Sequence, residues 1–312
     1  MSLILEAVHL RVEYGTVVAV PRLSLELSGG QLLGMIGPNG AGKTTTLRAI
    51  AGLLPLAAGK VRVLGREIRP GDPQARSQIG FAADTPPVYE DLSVSDFLRF
   101  VGRAYRIRSD LIEERIDFWL EQLWLADRRE AKIKTLSRGM RQRLTVVRTL
   151  LPDPVLVLLD EPAAGLDPAG RVQFRKLLGS LRDQGKAIIV SSHILADLHE
   201  YCTHIGIMQG GQWMRLGTVS QVVDGHTDHR RRYELTLVRP LPEAGAVLRQ
   251  HQRISNVELH GRQVTFEYDE DEQAAADLLQ ALIAKGLPVS RFSPAAKDIE
   301  QAYLRTGIRQ VD

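Results

Sequence analysis

The chain has 312 residues, enough for one large domain or two of ordinary size with well-filled cores. Its 40 basic and 37 acidic residues are interspersed, and the net charge of +3 argues against nucleic acid as a partner. The single cysteine excludes an internal disulfide and suits a reducing compartment. No apolar run approaches the roughly 20 residues that span a bilayer, and the N-terminus lacks a signal-peptide pattern. We therefore expect a soluble, cytoplasmic chain.

Apolar periodicity in the first 225 residues predicts a domain with a parallel β-sheet. Alternating apolar residues predict strands at 3–12 and 17–27. Continuous apolar runs predict buried strands at 32–37, 155–159 and 187–190, the last two separated by a helical pattern. This alternation of strands and helices is typical of an α/β sheet with a parallel centre.

Helical patterns without strands occupy the region from about 84 to 152. They lie at 93–105, 111–125 and 137–151, and they predict an inserted helical subdomain. Ser137 is a good N-cap for the last helix, whose start carries Arg138, Arg141 and Arg143 but no acid. Two interpretations stay open from this stretch alone: a basic solvated face, or a helix N-terminus that binds a phosphate.

The rest of the chain has the pattern of a small separate domain. Residues 226–232 lose hydrophobic periodicity and predict a linker, in which His226 and His229 are interpreted as solvated side chains rather than metal ligands. Residues 233–312 show strand and helix patterns in the order βαββαβ, followed by a terminal helix. This order predicts a ferredoxin-like α+β domain.

A phosphate-binding loop follows the buried strand at 32–37. The segment GPNGAGKTT fits the pattern G-x-x-x-x-G-K-[ST] between a strand and a helix. Glycines let successive backbone N–H groups turn toward phosphate oxygens, the lysine reaches the β- and γ-phosphates, and the hydroxyl binds Mg²⁺. The predicted ATP-binding residues are Gly37, Pro38, Asn39, Gly40, Ala41, Gly42, Lys43, Thr44 and Thr45.

Two further strands end in polar residues that suit ATP hydrolysis. Asp160 ends a hydrophobic strand and is placed to hold Mg²⁺, while Glu161 is placed to accept a proton from an attacking water. The next buried strand ends in Ser-Ser-His, and His193 is predicted to bond the γ-phosphate and to hold the water in line. We therefore predict Lys43, Glu161 and His193 as the catalytic residues.

The motifs GPNGAGKTT, LSRGM, LLDEP, AGLD and SSH, in this order, resemble those of the ATP-binding cassette (ABC) ATPases over nearly all of residues 1–225. The resemblance implies a P-loop NTPase core with an antiparallel β-subdomain and an inserted helical subdomain. It also implies a head-to-tail dimer, either homodimer or heterodimer. In that dimer Ser137, Arg138, Gly139 and Met140 complete the partner's ATP site and Asp167 belongs to the D-loop.

The resemblance further implies an adenine-stacking role for Tyr14 and a metal-binding set of Thr44, Asp84 and Asp160 for Mg²⁺. Stacking of a base on an aromatic ring supports the first of these, and a solvent-facing tyrosine is its alternative. Three positions depart from the family pattern: Met140 and Asp84 stand where glutamine is typical, and the D-loop lacks the common hydroxyls. Asp84 retains a ligand for a hard cation but cannot donate a hydrogen bond to water.

The implied function is ATP hydrolysis that drives export through a separate membrane-embedded permease, at the cytoplasmic face of the cell membrane. The exporter-type branch is indicated by LSRGMRQRL and by the C-terminal extension. Two alternatives remain: a cytosolic ABC-type ATPase acting on ribosomes or DNA, and a nucleotide-gated assembly module. A docking surface for the permease is predicted at Pro86, Pro87, Val88 and Tyr89, with packing against the helical subdomain as the alternative.

Overall fold

The computed structural model describes residues 2–72, 77–84, 89–192, 198, 201–224, 231–268 and 272–294. Its contacts divide the chain into two compact units, with the boundary between Val219 and Ser220, a few residues before the predicted one. No helix in these ranges is both long and apolar enough to cross a bilayer.

The first unit contains two β-sheets. The antiparallel sheet comprises β1 (Leu3–Tyr14), β2 (Val17–Ser28), β4 (Ala58–Val63) and β5 (Arg66–Glu67), in the order β2-β1-β4-β5. The larger sheet comprises β3 (Leu32–Ile36), β6 (Ile79–Ala82), β7 (Leu156–Asp160), β8 (Ala187–Ser192), β9 (His204–Gln209) and β10 (Gln212–Thr218). Its order is β10-β9-β3-β8-β7-β6, and all neighbours are parallel except β10 and β9.

The helices of the first unit agree with the periodicity. They are α1 (Lys43–Ile50), α2 (Val94–Ala104), α3 (Ser109–Gln122), α4 (Arg138–Leu150) and α5 (Pro168–Asp183), with 3₁₀ turns at Ala126–Arg128 and Ile133–Thr135. Ser93 caps α2, because its hydroxyl accepts a hydrogen bond from the N–H of Asp96 at 3.1 Å. Helices α2, α3 and α4 lie within the range of the predicted helical insertion.

One apolar core joins both sheets of this unit and helix α1. It includes residues fully shielded from solvent on β1, β3, α1 and β7, among them Leu5, Leu33, Leu47 and Leu158. Both faces of β3, β7 and β8 are buried, as continuous apolar runs predict. The sequence patterns did not predict β4, β5, β6, β9 or β10. Strands β5 and β6 are short and β4 and β10 are half-exposed, whereas β9 is a mostly buried strand of six residues that was missed.

The second unit begins within α6 (Val219–Asp224), at Ser220. It contains β11 (Arg231–Leu237), α7 (Ala244–Arg249), β12 (Ile254–His260), β13 (Gln263–Tyr268), α8 (Glu272–Ala284) and β14 (Val289–Pro294). These form an antiparallel sheet in the order β12-β13-β11-β14 around its own apolar core. The order βαββαβ is the predicted one. The predicted linker 226–232 is wrong at its end, because Arg231 and Arg232 pair with β13; the predicted terminal helix lies outside the described residues.

Candidate nucleotide-binding and hydrolysis site

The carboxyl ends of the parallel strands gather the predicted site residues at one edge of the larger sheet. The register aligns Ile36 of β3 with Ser192 of β8, and Ser191 of β8 with Asp160 of β7. The phosphate-binding loop that follows β3 and the acids that follow β7 therefore lie on either side of β8. Ligands of open α/β sheets bind at this edge.

The phosphate-binding loop is a closed turn braced by the neighbouring strands. Its first turn is fixed by a hydrogen bond from the N–H of Ala41 to the carbonyl of Pro38 at 3.1 Å. The N–H of Gly211, between β9 and β10, donates to the carbonyl of Ala41 at 2.9 Å. Gly42 has a φ of +97°, and a Cβ there would lie 3.2 Å from the carbonyl oxygen of Ala19. Only glycine fits this position without strain.

Lys43 lies at the mouth of this loop with its ammonium group largely buried. Its Nζ donates to the carbonyls of Gly37 at 2.6 Å and Pro38 at 3.2 Å. Burial lowers the pKa of Lys43, and the nearby Glu161 and Asp160 carboxylates partly oppose that shift. The site thus holds one buried cation and two carboxylates, an arrangement that suits a charged polyphosphate and a metal ion.

Asp160 and Glu161 are positioned by Ser191, which sequence reasoning did not single out. The Ser191 hydroxyl donates to Oδ1 of Asp160 at 2.7 Å and accepts from the N–H of Glu161 at 3.0 Å. Glu161 has a φ of +49°, a left-handed conformation that is uncommon for a residue other than glycine. Such strain, where the surrounding structure imposes it, is concentrated at functional sites. The sequence signal that could have revealed this role is the Ser-Ser pair at the end of the buried strand β8.

The residues present fit a magnesium ion bound together with ATP. Asp160 is almost fully buried, and within the described residues only one of its carboxylate oxygens accepts a hydrogen bond. Thr44 is half-buried on the first turn of α1, and Asp84 follows β6, the strand that pairs with β7. No cluster of three or more His, Cys, Asp or Glu side chains in the described ranges could hold a metal alone. Hydroxyl and carboxylate oxygens completed by phosphate oxygens are a usual set for Mg²⁺.

The start of helix α4 packs against the predicted D-loop of the same chain. Ser137 is the N-cap, as predicted, and its hydroxyl accepts from the N–H of Met140 at 3.3 Å. A Cβ at Gly139 would lie 2.9 Å from the carbonyl oxygen of Gly165, so this position requires glycine. Asp167 is the N-cap of α5, because its carboxylate accepts from the N–H of Gly170 at 2.7 Å.

Two of the three arginines near the start of α4 bind groups of the same chain and are not free to bind a phosphate. Arg141 donates to the carbonyl of Leu136 and pairs with Glu90, while Arg143 donates to the carbonyl of Leu123. Both therefore tie α4 to its own subdomain, which the sequence pattern did not reveal. Arg138 differs, since its side chain lies beside Gly165.

Two predicted aromatic residues are exposed. Tyr14 ends β1 with 46% of its surface exposed, and Tyr89 is 59% exposed. Tyr89 packs edge-on against Phe100 at a centroid distance of 5.7 Å, so it contacts the helical subdomain and still presents a face to solvent. The predicted residues His193, Pro86, Pro87 and Val88 lie outside the described residues.

Comparison with known proteins identifies the family. The family described as "ABC transporter" matches residues 20–164. The chain is 39% identical over 224 residues to Nod factor export ATP-binding protein I of Cupriavidus metallidurans, covering 72% of this chain and 74% of that protein. It is 32% identical over 214 residues to the linearmycin resistance ATP-binding protein LnrL of Bacillus subtilis, covering 69% of each.

Coverage extends into the second unit for some relatives. The uncharacterized ABC transporter ATP-binding protein YhcH of Bacillus subtilis is 34% identical over 283 residues, which cover 90% of this chain and 88% of that protein. The solved structure described as the ATP binding subunit of an ABC transporter has a TM-score of 0.67 and 29% identity, covering 71% of this chain and 92% of the other. With the loop, the acids and the fold described above, these similarities show that the chain belongs to the ABC transporter family as an ATP-binding, ATP-hydrolysing subunit.

Proposed function

We propose that this chain powers export through a separate membrane-embedded permease, to which it is attached at the cytoplasmic face of the membrane. The role in ATP hydrolysis rests on one observation: Lys43 bonds to the loop carbonyls and lies near the carboxylates of Asp160 and Glu161. The names of two similar proteins, one for Nod factor export and one for linearmycin resistance, support the outward direction.

In this proposal, Lys43 changes its hydrogen-bond partners when ATP binds. The ammonium leaves the carbonyls of Gly37 and Pro38 and binds the β- and γ-phosphates, while the loop N–H groups bind the remaining phosphate oxygens. Thr44, Asp160 and Asp84 hold Mg²⁺, which neutralises charge on the phosphates when bound. Ser191 fixes the Asp160 carboxylate for that role.

Glu161 acts as the general base for the attacking water. Its backbone is held by the bond from its N–H to Ser191, which sets where its side chain leaves the sheet. His193 holds the water and the γ-phosphate in line, as the family resemblance implies. Tyr14 stacks on the adenine, a role that its exposed ring at the end of β1 supports.

Two copies, or one copy and a related subunit, complete each other's sites. The N-terminus of α4 carries Ser137, Arg138, Gly139 and Met140, and it has no acid in its first turn. Its unpaired N–H groups therefore favour an external anion, which the γ-phosphate of the partner's ATP supplies. The packing of Gly139 on Gly165 supports a joint movement of the signature segment and the D-loop.

The permease docks in an apolar groove beside Asp84. The groove has a volume of about 630 Å³ and is lined by Tyr89, Phe97 and Phe100, with Leu53 and Phe81 among its other apolar residues. Leu53, Tyr89 and Phe100 are each about half exposed, so the groove is open along the surface rather than enclosed. Exposed aromatic side chains in such a groove are typical anchors for a partner helix.

The test is purification of the full chain from detergent-solubilised membranes, followed by reconstitution of the complex into vesicles. We expect one integral membrane subunit in stoichiometric amount and ATP hydrolysis by the vesicles. Lys43→Ala should keep the membrane subunit but lose the hydrolysis. A chain recovered with ribosomes or DNA, and with no membrane subunit, would show that the transport proposal is wrong.

A further inference from the structure

Arg148 stands out in the docking groove because it is the charged residue among the described residues that line it. The other lining side chains are apolar or aromatic, from Ala51 and Leu53 to Ala104 and Tyr105. Arg148 lies in the last turn of α4, two residues before the helix ends at Leu150, and its side chain is mostly buried. A guanidinium in such surroundings requires an explanation, since charged groups are seldom buried without a partner.

Within the described part of the chain, no carboxylate compensates Arg148. One of its nitrogens, Nη2, donates to the carbonyl of Phe81 at 3.1 Å. Of the acids next in sequence to groove-lining residues, Glu90 pairs with Arg141, and Asp84 forms no ion pair with Arg148. Burial lowers the pKa of the Arg148 guanidinium, but an arginine still carries its charge at neutral pH.

The remaining N–H groups of Arg148 are reachable from the groove. On the same helix, the Nε of Arg143 is buried without a hydrogen bond, but no nitrogen of Arg148 is in that condition. Its free donors therefore contact solvent in the groove. A purely apolar occupant would remove that solvent and leave a buried, unpaired charge, which costs far more than the apolar contact gains at that point.

We propose that the helix of the membrane subunit that occupies this groove carries one Asp or Glu among apolar residues, and that this carboxylate pairs with Arg148. This inference rests on the proposed docking function. A carboxylate satisfies the planar donors of arginine in a two-bond geometry that a hydroxyl or amide cannot match. The aromatic residues Tyr89 and Phe100 bind the apolar side chains, and Arg148 selects the partner by charge and sets its register.

The first experiment uses the full chain co-expressed with the membrane subunit that co-purifies with the wild-type protein. Arg148→Gln removes the charge but keeps a donor for the Phe81 carbonyl, and it should reduce the affinity between the subunits by about 30-fold or more. Arg148→Lys keeps the charge and should bind better than the glutamine variant. Arg143→Gln is the matched control, because Arg143 lies on the same helix and bonds to backbone carbonyls outside the groove. Thermal unfolding of each variant reports its fold.

The second experiment is a charge swap. Arg148→Glu should abolish the complex, and a single Asp or Glu in the cytoplasmic segments of the membrane subunit, when replaced by Arg, should restore it. Failure of every such replacement to restore the complex would overturn the proposal.

Tyr89→Asp separates this inference from the docking proposal. If Tyr89→Asp abolishes the complex while Arg148→Gln binds like wild type, the groove is the docking site but its occupant brings no carboxylate. If both variants bind like wild type, the proposal that the permease docks in this groove is wrong, and so is the proposed charge pair with Arg148.

Discussion

The hydroxyl of Ser191 donates to the Asp160 carboxylate at 2.7 Å, and both residues are buried at the ends of neighbouring parallel strands. The same oxygen accepts the N–H of Glu161 at 3.0 Å. One hydroxyl therefore fixes the proposed metal ligand and the backbone of the proposed general base. Hydrogen bonds to a charged group are stronger than neutral ones, so this contact holds the Asp160 carboxylate firmly in place.

Ser191→Ala should lower ATP turnover and also the stability of the first unit. The variant leaves the Glu161 N–H and one Asp160 oxygen without this partner, at a cost of about 1 to 3 kcal/mol in the free energy of unfolding. Denaturant unfolding and steady-state hydrolysis are the measurements. Ser192→Ala is the matched control, since the next residue of the strand points to the opposite face and does not bond Asp160. Equal effects of the two variants would contradict a specific role for Ser191.

Glu161→Gln should retain ATP binding and lose turnover by a factor on the order of 10² to 10⁴, the usual contribution of a positioned base. The amide keeps the size of the side chain but cannot accept the proton. Because bound ATP then persists, closed dimers should accumulate, which size-exclusion chromatography with ATP can detect. Lys43→Ala is the contrasting variant, since it should lose binding as well. Undiminished hydrolysis by Glu161→Gln would show that Glu161 is not the general base.

Ser137→Arg should abolish hydrolysis by a homodimer while its monomers still bind ATP, because the residue serves the opposite subunit. Arginine removes the N-cap hydroxyl and places bulk where the γ-phosphate must approach. Mixing Ser137→Arg with Lys43→Ala subunits should restore at most one composite site per dimer. Nucleotide affinity by equilibrium binding and hydrolysis of the mixture are the two measurements. If Ser137→Arg monomers fail to bind ATP, the site is not shared between subunits.

The sequence predicts those parts of the site that a local pattern determines. The glycine spacing and the strand before it predict the loop from Gly37 to Thr45, and a cap residue before a helical pattern predicts the start of α4 at Ser137. The apolar run that ends in Asp160 likewise predicts a buried strand with an acid at its end.

Contacts between distant segments could not be predicted in this way. The bond between Ser191 and Asp160 depends on the register of β8 against β7, which tertiary packing sets. Likewise, the roles of Arg141 and Arg148 follow from which segments surround α4, so periodicity showed a basic helix and no more. Strand β4 was missed because it is half-exposed and includes Gly59 and Lys60.

Asp167 offers a test of whether the D-loop acid acts by charge or by capping. Its carboxylate accepts the N–H of Gly170 at 2.7 Å, and Pro168 follows at the first position of α5, an arrangement that fixes the start of this helix. Asp167→Ala should therefore reduce the free energy of unfolding by about 1 kcal/mol. The helix start should also loosen against the signature segment, because Gly165 of the same loop packs on Gly139.

Asp167→Asn is the matched control, because asparagine caps a helix about as well as aspartate but carries no charge. We expect Asp167→Asn to unfold at nearly the wild-type denaturant concentration, while Asp167→Ala unfolds earlier. If hydrolysis falls in Asp167→Ala and is kept in Asp167→Asn, Asp167 acts by holding the loop in place. If both variants lose hydrolysis equally and only the alanine variant loses stability, the charge itself takes part in the site, and the capping interpretation of its role in turnover is wrong.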